Sequence, residues 1–402
     1  MCVAVPRPGQ GVPADPAARS GRGAATCPGV TAGDLAVTTT PGAAEAVLGL
    51  RDQALAALDG GDPQAALALA RDALTALAGA GLRGGPDEAA VLVALAEIEE
   101  ALDRFAAAAT SIAAATALLG GDAGPGDRDS DLLLVWCQAQ ERQAGLERLG
   151  GDFAAAAARL TRVLTAAAAA FGEESQPVVS AANALGVVHK YAGDFAAAQA
   201  AYQRALAAAE AMGGAGPLIR AGLLHNLGGL AHSRGDAAAG IPLAEQGLAL
   251  RAGALGAAHP DVARDRNALG ALYHLAARYD DAGQAYQRAL VVFEDCYGPG
   301  HFEVAQACAN LAVLYADQGH FAAAEALGRR SLHIFDTLLG PDDAEAGLTM
   351  LNLAAAVAGQ GRRAEAAALA ERAAQILAAR LPAGHPHLHA ARETLAHLQG
   401  TS

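Results

Sequence analysis

One short element recurs along this sequence at intervals of 42 residues. Gly-Asp-Phe-Ala-Ala-Ala occupies 151–156 and again 193–198, and Gly-Asp-Ala-Ala-Ala follows at 235–239. Steps of 42 lead on to Ala277-Arg-Tyr279, Gly319-His-Phe321 and Gly361-Arg-Arg363. Backward from 151, one interval of 48 reaches Asp103-Arg-Phe105, and a further 42 reaches Gly61-Asp-Pro63. The six additional residues are assigned to the Gly/Asp-rich stretch 120–131. A fixed period of this size means a stack of small units, each covering the apolar face of the next, and not a set of unrelated domains. Eight anchors, at 61, 103, 151, 193, 235, 277, 319 and 361, mark eight repeats.

Each repeat reads as two helices. Ahead of the anchor, leucine holds one offset as Leu185, Leu227, Leu269, Leu311 and Leu353, each followed by a small residue: Gly186, Gly228, Gly270, Ala312 and Ala354. This is helix A. Beyond the anchor, helix B carries Ala156, Ala198, Gly240, Ala282, Ala324 and Ala366, with Leu164, Leu206, Leu248, Leu290 and Leu332 eight positions later in most repeats. Small residues let two backbones approach, and leucines and aromatics fill the space between neighbouring pairs. Composition agrees: hydrophobic residues are 53% but aromatics only 4%, because alanine, the strongest helix former, is roughly a quarter of the chain. The fold class predicted is all-α, about eight antiparallel helix pairs, and residues 386–399 supply a C-terminal capping helix. The fifth repeat departs from the pattern, with Ala237 for the anchor aromatic and Pro242 inside helix B, where a kink is expected.

Leu269-Gly270-x-x-Tyr273 followed by Ala282-x-x-x-Tyr286 resembles the leucine-glycine-tyrosine and alanine-aromatic elements of a tetratricopeptide repeat. The additional residues per repeat follow helix B, in a turn recurring as Leu255-Gly-Ala-Ala-His-Pro-Asp-Val262, Tyr297-Gly-Pro-Gly-His-Phe-Glu-Val304 and Leu381-Pro-Ala-Gly-His-Pro-His-Leu388. That turn and the asparagine-leucine pairs of helix A are similar to the kinesin-light-chain type of the family. The resemblance is strong over 151–399 and weaker over 43–150, where Gln53 and Gln143 replace the helix A leucine. It implies a right-handed superhelical solenoid. The expected organisation is a disordered Pro/Gly-rich tail at 1–42, degenerate repeats at 43–150, regular repeats at 151–380, and the cap and C-terminus at 381–402.

Catalytic signatures are missing: the sequence contains no G-x-x-x-x-G-K-[ST], H-E-x-x-H, G-x-S-x-G or G-x-G-x-x-G. His385-x-His387-x-His389 is the best metal candidate, but on a helix that spacing scatters the imidazoles over different faces, and turn and cap roles explain them better. No cofactor, metal or enzymatic activity is expected. A net charge of -14 argues against nucleic acid as a partner. Pro6, Arg7 and Pro8 interrupt any secretory signal at once, and the uncharged runs 105–121 and 346–361 fall short of spanning length. Five cysteines without a C-x-x-C pair fit a reducing compartment, so the expected location is cytoplasmic, with Cys296 and Cys308 near each other but reduced.

Helix A also carries asparagines at two adjacent offsets. Asn226, Asn310 and Asn352 lie 9 residues before their anchors, and Asn183 and Asn267 lie 10 before theirs. In the family resembled, such positions line a concave groove and hold the backbone of an extended peptide. An amide offers a donor and an acceptor together, which matches a peptide unit without reading its side chain. The competing role is to brace neighbouring repeats by bonding the backbone of the preceding helix B. One turn further on, Lys190, His232 and His274 share the face, and His225 stands beside Asn226, giving a polar to mildly basic groove suited to an acidic peptide. The function expected is a scaffold or adaptor binding an extended protein segment, with a regulatory or sensor subunit of a separately encoded enzyme as the alternative.

Overall fold

The computed structural model describes residues 43–124, 130–213, 216–381 and 386–400. The tail at 1–42, with Cys2 and Cys27, lies outside the described residues, as does His385. Seventeen α-helices and one 3-10 turn are found among the described residues, with no strand. In chain order they are α1 (Ala43–Asp59), α2 (Pro63–Gly79), α3 (Pro86–Ala101), α4 (Phe105–Leu118), α5 (Ser130–Leu149), α6 (Phe153–Phe171), α7 (Gln176–Tyr191), α8 (Phe195–Ala211) and α9 (Pro217–Ser233). There follow α10 (Ala237–Leu255), α11 (Pro260–Leu275), α12 (Tyr279–Tyr297), α13 (Phe302–Asp317), α14 (Phe321–Leu339), α15 (Ala344–Gly359), α16 (Arg363–Arg380) and α17 (Pro386–Gln399). Odd-numbered helices are the A helices, and every anchor falls between an A helix and its B helix. The chain divides into two compact halves, 17–223 and 224 onward, each an antiparallel stack.

The Gly-Asp signature has a simple origin. At the anchor the backbone leaves helix A through the left-handed region, as at Gly193 (φ +81°), and the Asp194 N–H closes the turn on the His189 carbonyl at 2.9 Å. Asp194 then caps helix B, its carboxylate accepting from the Ala197 N–H at 3.1 Å. Asp62, Asp152 and Asp236 cap their helices in the same way. Two anchors are not glycine: Asp103 (φ +57°) and Ala277 (φ +58°) hold the same conformation with a Cβ. The recurrent histidines of the other turn are also caps: the Asp261 N–H donates to His259 Nδ1 (3.1 Å) and the Glu303 N–H to His301 Nδ1 (3.2 Å).

Packing within a pair is a matching of sizes. A methyl placed on Gly186 meets the buried Tyr202 ring at 2.5 Å, and one on Gly270 meets the Tyr286 ring at 2.7 Å. In the fifth repeat the partner is Ala244, and a methyl on Gly228 has ordinary clearance at 3.4 Å. The seventh repeat reverses the arrangement, with Ala312 on helix A facing Gly328 on helix B. The leucine-glycine and alanine-aromatic elements are thus two sides of one contact. Helix α10 continues through Pro242 to Leu255. Its Gly240 lies so close to Leu272 that a Cβ would come within 2.6 Å.

The longer connection between the second and third repeats sits where the six additional residues were assigned, between Leu118 and Ser130. The Trp136 indole donates to the Gly121 carbonyl at 2.9 Å there, tying the 3-10 turn Gly121–Ala123 to α5. Helix α17 closes the stack by burying Leu388 and Ala391. Arg363 caps its C-terminus through the Leu398 and His397 carbonyls at 2.6 and 2.7 Å. One helix among the described residues, α6, is long and apolar enough to cross a membrane by length and composition. It carries Arg159 and Arg162 and packs between α5 and α7. Cys308 is buried and Cys296 exposed; both are free thiols, Cys296 lying against the Ala258 carbonyl at 3.8 Å. Burial pushes the Cys308 thiol up to about 11.

Candidate functional site on the A helices

Within each half, A helices of successive repeats touch: α1, α3, α5 and α7 in order in the first, and α11, α13, α15 and α17 in order in the second. No contact of similar extent joins one B helix to the next among the described residues. The A helices therefore form a continuous contact seam within each half, and the Asn267–Asn310 pair lies on it.

In the C-terminal half this seam is lined with polar pairs. His225 Nδ1 lies 2.9 Å from Asp265 Oδ1, and the Arg251 Nε–H donates to Asp265 Oδ2 at 2.8 Å. Asp265 is only 4% exposed, and two partners offset the cost of burying its charge. Asn310 Nδ2 donates to Asn267 Oδ1 at 3.2 Å, joining α13 to α11. His274 Nε2 is 2.8 Å from Asp317 Oδ2. The Arg264 Nε–H donates to the buried Glu303 carboxylate at 2.7 Å, and its Nη2 donates to the Tyr297 hydroxyl at 3.0 Å.

The N-terminal half seals the same seam with charge. The Ser180 hydroxyl donates to Glu141 at 2.6 Å, linking α7 to α5. Burial pushes the Glu141 carboxyl up to about 7, against the opposing effects of Ser180 and Arg142. Arg142 reaches across to Glu97 and Glu100 on α3. Glu141 lies 10 residues before its anchor, the offset of Asn183 and Asn267, so the asparagine position becomes a carboxylate in the third repeat.

Asn183 and Lys190 are half-buried on α7 in the N-terminal half, with Lys190 Nζ 6.0 Å from the Tyr191 ring centroid. In the C-terminal half, His225, Asn226 and His232 are half-buried on α9, Asn267 and His274 on α11, and Asn310 on α13, while Asn352 is exposed on α15. The structure brings Asn267 and Asn310 together as a bridge between A helices, not to the backbone of a preceding helix B. It also sets His225 and His274 against Asp265 and Asp317, carboxylate partners that sequence reasoning missed. Repeat alignment exposes Glu141, but nothing in the pattern marks Asp265, peculiar to the sixth repeat, or Asp317, whose offset is acidic again only in the first repeat as Asp59. His387 and His389 lie on α17, with His389 Nδ1 3.4 Å from Glu393 Oε1. No group of three or more His, Cys, Asp or Glu among the described residues is placed to hold a metal ion.

Comparison with known proteins places this geometry in a family. Two tetratricopeptide-repeat models match the sequence, one over 220–295 and 266–337 and the other over 178–213 and 348–387. No curated protein matches the chain. Among solved structures, BtubC (BKLC) from P. vanneervenii is 26% identical, with 57% of this chain and 92% of that one covered and a TM-score of 0.48. The signal transduction ATPase with a tetratricopeptide repeat sensor from Pyrococcus horikoshii is 14% identical over 90% of this chain and 50% of its own, with a TM-score of 0.60. A Rap protein complexed with Competence and Sporulation Factor is 13% identical over 89% of this chain and 98% of its own, with a TM-score of 0.55. The last two likenesses concern fold. With the 42-residue period and the histidine-capped turn after helix B, the matched residues 178–213, 220–337 and 348–387 are tetratricopeptide repeats, and their period and turn are similar to the kinesin-light-chain type.

Proposed function

We propose that the protein is a protein-interaction scaffold whose C-terminal half holds an extended partner segment along the A-helix face of α11 and α13. The observation that carries this reading is the Asn267–Asn310 pair. Asn310 spends one N–H on Asn267 Oδ1, which leaves the Asn267 amide hydrogens and the Asn310 carbonyl as a donor and an acceptor on adjacent helices. That spacing suits a peptide backbone, and the bridge holds both amides in place beforehand, lowering the ordering cost of binding. Bracing and binding are then one arrangement. Acidic side chains on the segment would compete with Asp265 and Asp317 for His225 and His274.

Peptides selected from a random library against the full chain provide the test. Each amide hydrogen bond contributes about 0.5–1.5 kcal/mol net, so Asn267→Ala with Asn310→Ala is expected to weaken a selected peptide by about 1–3 kcal/mol. The titration is run well below the variant's melting temperature. Unchanged affinity, with melting temperature alone reduced, would reduce the pair to a brace. Selected acidic peptides should also bind less tightly in added salt.

A further inference from the structure

Arginine recurs 11 residues after the anchor, on helix B, as Arg162, Arg204, Arg288, Arg330 and Arg372. Its sister copies have carboxylates at hand. Arg204 Nη2 lies 2.8 Å from Glu173 Oε1, Arg330 pairs with Glu294, and Arg372 pairs with Asp342. Arg162 stands near Asp122, whose carboxyl is held low by Arg159 first and by Arg162 more weakly. Glu173 and Asp342 come from the turn that precedes helix A of the same repeat. In the sixth repeat that turn reads Gly256-Ala257-Ala258-His259, and none of the described residues supplies Arg288 with a carboxylate.

A second irregularity falls beside it. Eleven residues before the anchor, helix A carries the buried uncharged residues Gln140, Ala182, Leu224, Cys308 and Met350, but Arg266 in the sixth repeat. Arg266 is half-buried, and its Nη1 donates to the Ala257 carbonyl at 2.6 Å. Burial and the neighbouring Arg288 both disfavour its charge. The two arginines line one open depression between α11 and α12 with Gln287, Val291 and Val292. Val291 is 55% exposed, among the most exposed large apolar side chains of the chain. Two guanidiniums and an apolar rim thus face solvent on a chain of net charge -14.

We infer that this depression is a docking site for an acidic segment of a partner protein, whose carboxylate takes the place that Glu173 and Asp342 fill in sister repeats and whose aliphatic neighbour covers Val291. Carboxylate is the occupant chosen because the repeat itself satisfies this arginine with Glu or Asp wherever it can. Paired guanidiniums give a planar, multi-donor match to such a group. The inference does not rest on the Asn267–Asn310 pair.

The test uses a fluorescein-labelled octapeptide of alternating glutamate and leucine, its glutamine counterpart, and the folded full-length chain. Anisotropy should show binding of the glutamate peptide, at least tenfold weaker binding of the glutamine peptide, and progressive weakening with sodium chloride. Arg288→Gln and Ala257→Glu should each weaken the glutamate peptide at least tenfold, the latter by restoring the missing carboxylate in the same chain. Arg204→Gln should leave it within twofold. Absence of binding at millimolar peptide, equal binding of the glutamine peptide, or full binding by Ala257→Glu would overturn the inference. Displacement by inorganic phosphate as effective as by unlabelled peptide would assign the site to small oxyanions and overturn it as well. Loss of binding in the asparagine variant with Arg288→Gln unaffected would place the peptide on the A-helix face, leaving that proposal standing and this one refuted.

Discussion

Gly228→Ala and Gly270→Ala are the same change at the same offset of adjacent repeats, and the structure assigns them opposite signs. Exchanging glycine for alanine inside a helix is worth up to about 1 kcal/mol, because glycine loses more backbone freedom on folding. At Gly228 the new methyl meets Ala244 Cβ at 3.4 Å and the Gly240 carbonyl at 3.6 Å, both ordinary contacts. The gain should be kept, giving stabilisation of about 0.5–1 kcal/mol. At Gly270 the methyl meets Tyr286 ring carbons at 2.7 and 2.8 Å, about 0.8 Å inside a carbon–carbon contact of ~3.5 Å. Tyr286 is only 2% exposed and packs with Leu311 and Leu314 of the next helix A, so the ring cannot swing clear. Overpacking of this kind costs about 1–3 kcal/mol, which leaves a net loss of up to about 2 kcal/mol after the helix gain. Both variants share the helix gain, so they should differ by the overpacking cost, about 1–3 kcal/mol. Urea denaturation followed by circular dichroism measures the order, and hydrogen exchange on α11 and α12 confirms that the loss is local, since repeat arrays can unfold in parts. Tyr286→Ala costs about 3–5 kcal/mol on its own, but on that background Gly270→Ala should lose its penalty. A penalty at Gly270 that persists without the tyrosine ring, or Gly270→Ala matching Gly228→Ala, would refute the size-matching argument.

Ala277→Gly should stabilise the protein by about 1 kcal/mol, because Ala277 holds φ +58° with a Cβ that costs ~1–2 kcal/mol in the left-handed region; thermal melting checks it, with Gly193→Ala shifting the opposite way. Glu141 makes stability pH-dependent with the sign of a raised carboxyl. Below the unfolded value both states are protonated and no penalty applies. As pH rises from about 4.5 to about 7, the native state keeps a proton that the unfolded chain releases, so stability falls. Denaturation of Glu141→Gln alongside the native chain at pH 5 and pH 8 should show a pH-dependent difference on the order of 1–3 kcal/mol. A constant difference would place the Glu141 carboxyl in water.

The helix pairs, their phase and the terminal cap were legible in the sequence because each depends on contacts within about one period. A left-handed turn calls for glycine and a capping bond calls for aspartate, so Gly-Asp marks where helix A ends and helix B begins. The exceptions Asp103 and Ala277 kept their places because the period, and not residue type alone, identified the anchors. The size match between Gly270 and Tyr286 was present as two separate motif elements, yet only the packing joined them into one contact. The candidate site was legible in part. Asparagine offsets named a face, but the Asn267–Asn310 bridge and the pairing of His274 with Asp317 depend on how successive A helices lie side by side. The same holds for Arg288, whose missing partner appears only once sister repeats have shown where a carboxylate belongs. Within a repeat, local geometry determines the structure, and local geometry is written in residue type and spacing. Between repeats, a polar side chain's partner is set by the distance and rotation from one A helix to the next, to which residues more than 40 positions apart all contribute, so tertiary packing decides it.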